Sequence, residues 1–309
     1  MSQDTRNTPS RLPSFLLWSG LAVVLISLLG YGTFGRHPQW LTQLPDSVRS
    51  NSLWFYQISF RLFGEGQTWF LIALLFVYMT HKVRAAWVLP MVLVYALSLG
   101  SEMAGTNYGF PFGNYSYSHL MGYKLAGHVP MVIPMSWFMI AVPSYALAHH
   151  TFPTPRHWGR RLLLGAFFIT LWDVSLDPAM AYPGMGFITT YWKWEPAGAF
   201  YTMPLINWFG WYVTSLVIIG AMMLLRVERW ISQLSIVWLR RYYMLNLLVP
   251  FGMIVLAGLW PAVALNVFLY VLSVVALSPS LRARLGWQGS SAENLSASTM
   301  TSTPEQEAV

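Results

Sequence analysis

Eight long apolar runs dominate this chain of 309 residues and constrain its fold more than any other feature. Runs of about 20 apolar residues match the hydrocarbon core of a bilayer, which an α-helix crosses in that length. The chain is 55% hydrophobic and 9% charged, whereas a soluble domain carries about 25% charged residues. The runs also lack the alternation that a membrane β-barrel needs. The sequence therefore predicts an all-α, polytopic transmembrane helical bundle with about eight spans.

The predicted spans form one domain, residues 14–285, between two polar tails. The N-terminal tail, residues 1–13, is polar, and the Ser/Thr/Glu-rich tail, residues 286–309, is predicted to be disordered. The spans are expected near Ser14–Phe34, Trp69–Thr80, Ala85–Leu99, Val129–Ala148, Leu162–Leu176, Pro204–Leu225, Met244–Leu259 and Ala262–Leu277.

An even number of spans places both termini on one side, and most of the 18 Lys and Arg residues fall on that side. The positive-inside rule then makes the termini cytoplasmic, in a bacterial inner or internal membrane. The connections that follow Glu102 and Asp177 share the opposite side. Glu65, Glu102, Asp173, Asp177 and Glu195 are therefore expected near one membrane face.

Two aspartates at the end of the fifth predicted span are the strongest candidates for chemistry. Asp173 and Asp177 are four residues apart, so they share one face of a helix. Pro178 is expected to end that helix, and a helix C-terminus disfavours negative charge. Two such carboxylates cannot both ionise cheaply, so one is expected to keep a proton and serve as a general acid. Alternatively, the pair only shapes a break in the chain.

Two glutamates join the aspartates as candidate catalytic residues. Glu102 is expected where the third span gives way to a Gly/Tyr/Asn-rich loop, although an interfacial loop residue would fit there too. Glu195 follows Lys193 in YWKWEP, where a local salt bridge is the alternative. The candidate substrate-binding residues are polar or aromatic and flank these acids: Asn107, Tyr108, Tyr115, Tyr117, Trp137, Trp172, Trp192, Trp194, Asn207 and Trp208.

Several function classes lack the residues that they require. The chain has no cysteine, which excludes disulfides, thiolate catalysis and Cys-ligated metals. The histidines have no metal-binding spacing, and no dinucleotide or phosphate-binding loop is present. We therefore expect neither a metal nor a cofactor. The basic residues occupy short loops, as topology requires, and do not indicate nucleic-acid binding.

Aromatic residues make up 16% of the chain, more than interfacial belts alone need. Aromatic faces stabilise cations. An acid in a dry cavity with aromatic walls suits protonation of an alkene to a carbocation. The sequence thus predicts a hydrocarbon substrate that arrives through the membrane.

Four motifs carry a resemblance to a known family: Glu102 with GTNYGFPFGNYSY, GHVPMVIPMSW, DVSLDP, and WKWEPAGAFYTMPLINWFGW. Together they span about residues 100–212, and their combination resembles the CruF-type carotenoid hydratases. The resemblance implies addition of water across the 1,2 double bond of an acyclic (ψ) end group, which gives a tertiary alcohol. The substrate implied is γ-carotene or a similar ψ-ended carotenoid, whereas archaeal relatives act on a C50 carotenoid. Carotenoid-pathway enzymes such as a glycosyltransferase are candidate partners.

Two departures from the family pattern bear on the end group that is accepted. Thr202 and Met203 precede Pro204 where Gly–Val is expected, and PGMGFITTY lengthens the loop before WKW. Three alternatives stay open: a membrane carotenoid cyclase, which traps the cation by ring closure; a prenyltransferase, because DxxxD can hold Mg²⁺ and a diphosphate; and a non-enzymatic transporter or scaffold.

Overall fold

The computed structural model describes residues 11–186 and 190–278. The helices are α1 Leu12–Gly30, α2 Gln39–Thr42, α3 Asp46–Arg61, α4 Gln67–Val83, α5 Val88–Tyr108, α6 Val132–Thr151, α7 Trp158–Ala181, α8 Ile206–Leu224, α9 Glu228–Ile231, α10 Ile236–Leu256 and α11 Trp260–Leu277. The short strands are β1 Tyr115–Tyr117, β2 Lys124–Leu125, β3 Val129–Pro130 and β4 Trp192–Trp194.

The predicted all-α polytopic bundle is confirmed. Six helical stretches among the described residues are long and apolar enough to cross a membrane, including a continuous one of 38 residues that joins α3 to α4. Helices α10 and α11 occupy the positions of the seventh and eighth predicted spans. The predicted tails lie almost wholly outside the described residues.

Two predicted helix ends are wrong. Helix α5 continues past Leu99 to Tyr108, so Glu102 lies within a helix and does not open a loop. Helix α7 continues through Pro178 to Ala181. Proline removes only one backbone hydrogen-bond donor. Within a bundle, groups on neighbouring helices can bond the backbone carbonyl that this leaves free, so the helix can continue. Asp173 and Asp177 therefore project from a continuous helix.

Helix α6 is the centre of the bundle. It packs against α4, α5, α7, α8 and α10, and its side chains are buried on every face, including Trp137, Phe138, Ile140 and Tyr145. A helix that is apolar all round is expected to be a core helix. Helix α7 packs against α6, α8 and α10, which brings its two aspartates into the interior.

The loops after α5 and α7 meet in a two-stranded antiparallel sheet. Tyr115 pairs with Trp194, and Tyr117 pairs with Trp192. Side chains alternate along a strand, so all four of these rings face the same way and are buried. The pairing places the two loops at the same end of the bundle.

Gly210 allows α8 to approach the segment that leads into β1. A Cβ at this position would lie 2.7 Å from the carbonyl oxygen of Pro111 and 2.8 Å from a ring carbon of Phe112. We expect Gly210→Val to lower the free energy of unfolding by about 1–3 kcal/mol, because backbone cannot move aside cheaply. Thermal unfolding of the purified protein measures this.

The matched control is Gly220→Val on the same helix, where the nearest atom to an added Cβ is a Leu162 methyl carbon at 3.9 Å. It carries the same cost in helix propensity without the clash. Equal losses of stability in the two variants would show that Gly210 is not required for close packing.

Candidate functional site

Glu102 is a buried carboxylate held by three hydrogen-bond donors. It projects from α5 and is 3% exposed. The Tyr117 hydroxyl donates to Oε2 at 2.8 Å, the Tyr115 hydroxyl donates to the same oxygen, and Trp137 Nε1 donates to Oε1 at 2.9 Å. An ionised carboxylate is an acceptor only. This donor set therefore suits the charged form of Glu102.

The two tyrosines that hold Glu102 remain protonated donors. Burial first, and then the neighbouring Glu102 carboxylate, raises the pKa of Tyr115 well above its usual value. Burial and Glu102 raise the pKa of Tyr117 in the same way. Neither hydroxyl is a proton source near neutral pH, so both serve to orient the carboxylate.

Asp173 and Asp177 share one hydrogen-bond donor, Asn207, but differ in how many of their carboxylate oxygens accept a hydrogen bond. Asn207 Nδ2 donates to Oδ2 of Asp173 at 2.9 Å and also to Oδ2 of Asp177. Trp192 Nε1 donates to Oδ1 of Asp177 at 2.9 Å. Both oxygens of Asp177 thus have a donor. Oδ1 of Asp173 is buried and has no hydrogen-bond partner among the described residues.

These three acids line one small cavity of about 30 Å³. Its walls are mostly aromatic: Phe112, Tyr115, Tyr117, Trp137, Trp172, Trp192, Trp194 and Trp211. Trp137 and Trp211 stack with ring centroids 4.0 Å apart, and Trp172 meets Trp211 edge-on at 6.1 Å. No lysine, arginine or histidine of the described chain lines this cavity. Its negative charge is thus surrounded by aromatic faces and not by basic side chains.

Comparison with known proteins identifies the family. Residues 66–273 match the carotenoid biosynthesis protein family, which is more than half of the chain and includes all three acids. The chain belongs to the carotenoid biosynthesis protein family. One relative of this carotenoid biosynthesis protein is the bisanhydrobacterioruberin hydratase of Haloarcula japonica, 28% identical over 127 residues. That alignment covers 41% of this chain and 41% of the relative's length.

Both findings confirm the resemblance to the CruF-type carotenoid hydratase family that the motifs predicted. No solved structure matches this carotenoid biosynthesis protein.

Most of the predicted site residues converge on the cavity of this carotenoid biosynthesis protein. The predicted residues that line it are Glu102, Tyr115, Tyr117, Trp137, Trp172, Asp173, Asp177, Trp192, Trp194 and Asn207. They come from α5, α6, α7, α8 and the β1–β4 sheet. The cavity therefore exists only when the bundle is assembled.

Four predicted site residues lie elsewhere. Glu195 is exposed and pairs with Lys193, Nζ to Oε1 at 2.5 Å, and this lysine lowers the pKa of Glu195. Asn107 is exposed and donates to the backbone oxygen of Met103. Tyr108 is 83% exposed. Trp208 packs on Phe200, with centroids 5.0 Å apart, and does not line the cavity.

Glu65, the remaining acid expected at this face, also stays outside the cavity. Its carboxylate forms a salt bridge with Arg61 at 3.0 Å and accepts a hydrogen bond from Trp69 Nε1 at 3.3 Å. The predicted group of five acids is thus three buried acids and two glutamates that are paired with basic residues.

Five residues that line the cavity are not among the predicted site residues: Phe112, Ile133, Ser136, Leu176 and Trp211. Trp211 follows Asn207 by four residues on α8, so helical spacing alone could have placed both on one face. Phe112 precedes β1 in an irregular segment, and no periodic pattern marks it.

Proposed function

We propose that this protein is a carotenoid hydratase, a hydro-lyase that adds water across the terminal 1,2 double bond of a ψ end group. The product is a tertiary alcohol, and γ-carotene or a similar ψ-ended carotenoid is the substrate. One observation carries the proposal: three buried carboxylates face a cavity with aromatic walls and no basic side chain. This combination suits a reaction that passes through a carbocation.

Asp173 is the proton donor in this proposal. Glu102 and Asp177 have donors on both oxygens, which favours their charged forms. Asp173 keeps one buried oxygen without a donor. A buried ionised oxygen without a partner is costly, so the proton of the aspartate pair resides on Asp173. Transfer of this proton to C2 of the alkene leaves the positive charge on the tertiary carbon C1.

Aromatic side chains near Asp173 stabilise that cation. Aromatic faces carry negative potential and attract a cation within about 6 Å of the ring centroid, with tryptophan the strongest. Trp137, Trp172 and Trp211 form a contiguous group of such rings. The Glu102 carboxylate adds a full negative charge in a medium where water does not screen it.

Water captures the cation in the second step. Its oxygen forms a bond to C1, and one of its protons passes to Asp177, which is one helical turn from Asp173. Return of that proton to Asp173 restores the starting state. One molecule of water is consumed, and no electrons are gained or lost, so the reaction needs no redox cofactor.

The same site provides little support for a prenyltransferase. A diphosphate carries several negative charges and is normally bound by basic side chains and Mg²⁺. The cavity presents three carboxylates and no basic residue in the described chain. A cyclase would use the same acid, so the mass of the product distinguishes it: hydration adds one water, whereas cyclisation adds nothing.

The setting in the cell is part of the proposal. The apolar spans and basic loops suit a bacterial inner or internal membrane with cytoplasmic termini. The tertiary hydroxyl is an acceptor for sugar transfer, so a glycosyltransferase is a candidate partner enzyme.

Production of this protein in a host that makes γ-carotene tests the proposal. We expect a more polar carotenoid whose mass exceeds that of γ-carotene by one water, detected by chromatography and mass spectrometry. A product with the mass of γ-carotene and a new ring would support the cyclase. Unchanged γ-carotene alongside stable, membrane-inserted protein would contradict both enzymes.

Glu195 provides a negative control for the three buried acids Glu102, Asp173 and Asp177, which we call the acid cluster. We expect Glu195→Gln to leave the amount of hydrated carotenoid within about twofold of wild type, because this side chain is exposed and only pairs with Lys193. The same product analysis measures it. A loss comparable to that caused by substituting the buried acids would mean that Glu195 acts on the substrate.

A further inference from the structure

A second and larger cavity, of about 430 Å³, lies beside the small one, and residues of α7 line both. Helices α1, α3, α4, α7 and α10 supply most of its lining, with Leu41 of α2 and Met139 of α6. Most of its lining is aliphatic or aromatic, and its outer part includes Phe34, Val48 and Phe55, which are 44%, 45% and 49% exposed. These exposed apolar side chains lie on stretches that are long and apolar enough to cross a membrane, Leu12–Gly35 and Asp46–Val83. The cavity is therefore open to a hydrophobic molecule in the bilayer.

Helix α7 contributes residues to both cavities. Its residues Trp172, Leu176 and Met180 recur every four positions and line the large cavity. Asp173 and Asp177, the next positions around the helix, line the small one. Trp172 and Leu176 line both cavities. The two spaces therefore meet at these two side chains, beside the aspartate pair.

The volumes of the two cavities indicate which molecule each can hold. A cavity needs about 10–15 Å³ to hold one water molecule, so the small cavity of about 30 Å³ has room for one or two waters but not for a whole isoprene unit beside them. Sites for organic ligands measure about 300–1,000 Å³ and are mostly apolar. The large cavity, of about 430 Å³, meets both criteria.

We infer that the 430 Å³ cavity binds the terminal isoprene units of the acyclic carotenoid, while the small cavity holds the water that is added. The terminal double bond meets Asp173 and Asp177 at the boundary formed by Trp172 and Leu176. This inference rests on the proposed function and extends it to the location of the substrate. It assigns α1, α3 and α10, which supply no residue to the acid cluster, to substrate binding.

Two buried amides in the large cavity suit the product. Gln67 Oε1 and Asn246 Oδ1 are buried acceptors without a hydrogen-bond partner among the described residues. Asn246 is adjacent to the boundary, because Trp172 Nε1 donates to its backbone oxygen at 3.2 Å. The hydrated end group carries a hydroxyl donor that the alkene lacks. These oxygens can accept it as the product withdraws from the acids.

The natural absence of cysteine permits a direct test by thiol labelling. Ser59→Cys places a thiol in the lining of the large cavity, and Ser232→Cys places one on the exposed connection between α9 and α10. With the proteins in lipid vesicles, we expect γ-carotene to slow labelling of Ser59→Cys by N-ethylmaleimide at least tenfold. Labelling of Ser232→Cys should not change. Equal labelling of Ser59→Cys with and without γ-carotene would overturn the inference.

An activity measurement tests the boundary itself. We expect Leu176→Trp to reduce hydrated product at least tenfold, because it fills the junction of the two cavities. The matched control, Leu163→Trp, adds the same side chain at a position of α7 that is 52% exposed, and should hydrate as wild type does. Wild-type yield from Leu176→Trp would overturn the inference.

The two experiments separate this inference from the proposed function. If wild type hydrates γ-carotene but γ-carotene does not protect Ser59→Cys from labelling, the protein is a hydratase and the cavity assignment is wrong. If γ-carotene protects Ser59→Cys from labelling but no hydrated product forms, the large cavity binds carotenoid and the proposed hydratase activity is wrong. The labelling arm also decides the inference if Leu176→Trp fails to fold.

Discussion

Asp173→Asn is expected to lower the rate of γ-carotene hydration by about 10²–10⁴-fold, the contribution typical of a positioned general acid. Asparagine has the shape of aspartate and can still accept the hydrogen bond that Asn207 donates to Asp173. It has no proton to give to an alkene. Product formed by purified protein in lipid vesicles measures the rate, and thermal unfolding verifies that the variant is folded.

Two comparisons make this result specific. Glu195→Gln controls for the loss of a carboxylate on the same side of the protein. Asp177→Asn sets an amide against Trp192 Nε1 or Asn207 Nδ2, both of which are donors, so it is expected to lose stability as well as rate. A folded Asp173→Asn variant that hydrates γ-carotene at the wild-type rate would rule out Asp173 as the proton donor.

Glu102→Gln is expected to lower kcat by about 10- to 100-fold with little change in KM. The carboxylate charge interacts strongly only with the cation, which exists after the alkene has been protonated. Each factor of ten corresponds to about 1.4 kcal/mol of lost stabilisation. Glutamine keeps an oxygen for Trp137 Nε1, and the Tyr115 and Tyr117 hydroxyls can accept from its amide. The fold should therefore survive.

Glu102→Leu is the contrasting variant. It leaves Trp137 Nε1 and two tyrosine hydroxyls buried without an acceptor, at a cost of about 1–3 kcal/mol for each group. We expect little folded protein. If kcat of Glu102→Gln equals that of wild type while Glu102→Leu unfolds, Glu102 serves the structure and not the reaction.

The sequence predicted the bundle because it follows from simple patterns of apolar residues, and the order of the predicted spans placed the acids of the small cavity near one another. Apolar runs of membrane-spanning length gave the helices, and an even number of spans between the two loops brought Glu102 to the aspartates. The same patterns misjudged α7 at Pro178, because packing against α6, α8 and α10 outweighs one lost backbone hydrogen bond.

The exposed position of Glu195 could have been predicted from the alternation of residues around it. In WKWE, Trp192 and Trp194 alternate with Lys193 and Glu195, which is the period of a strand. Once the tryptophans face inward, the charged pair must face outward, as the structure has it. No sequence pattern predicts the large cavity. Its walls come from helices that are distant in sequence, and only their packing creates the space.

Isotope labelling of the product tests the central claim most directly. Purified protein in lipid vesicles would convert γ-carotene in heavy-oxygen water, and separately in D₂O, with mass spectrometry to locate the labels. Protonation by an acid in exchange with solvent, followed by water capture, predicts one heavy oxygen in the hydroxyl at C1 and one deuterium at C2. A hydroxyl oxygen that does not come from water, or a product without deuterium at C2, would contradict the mechanism.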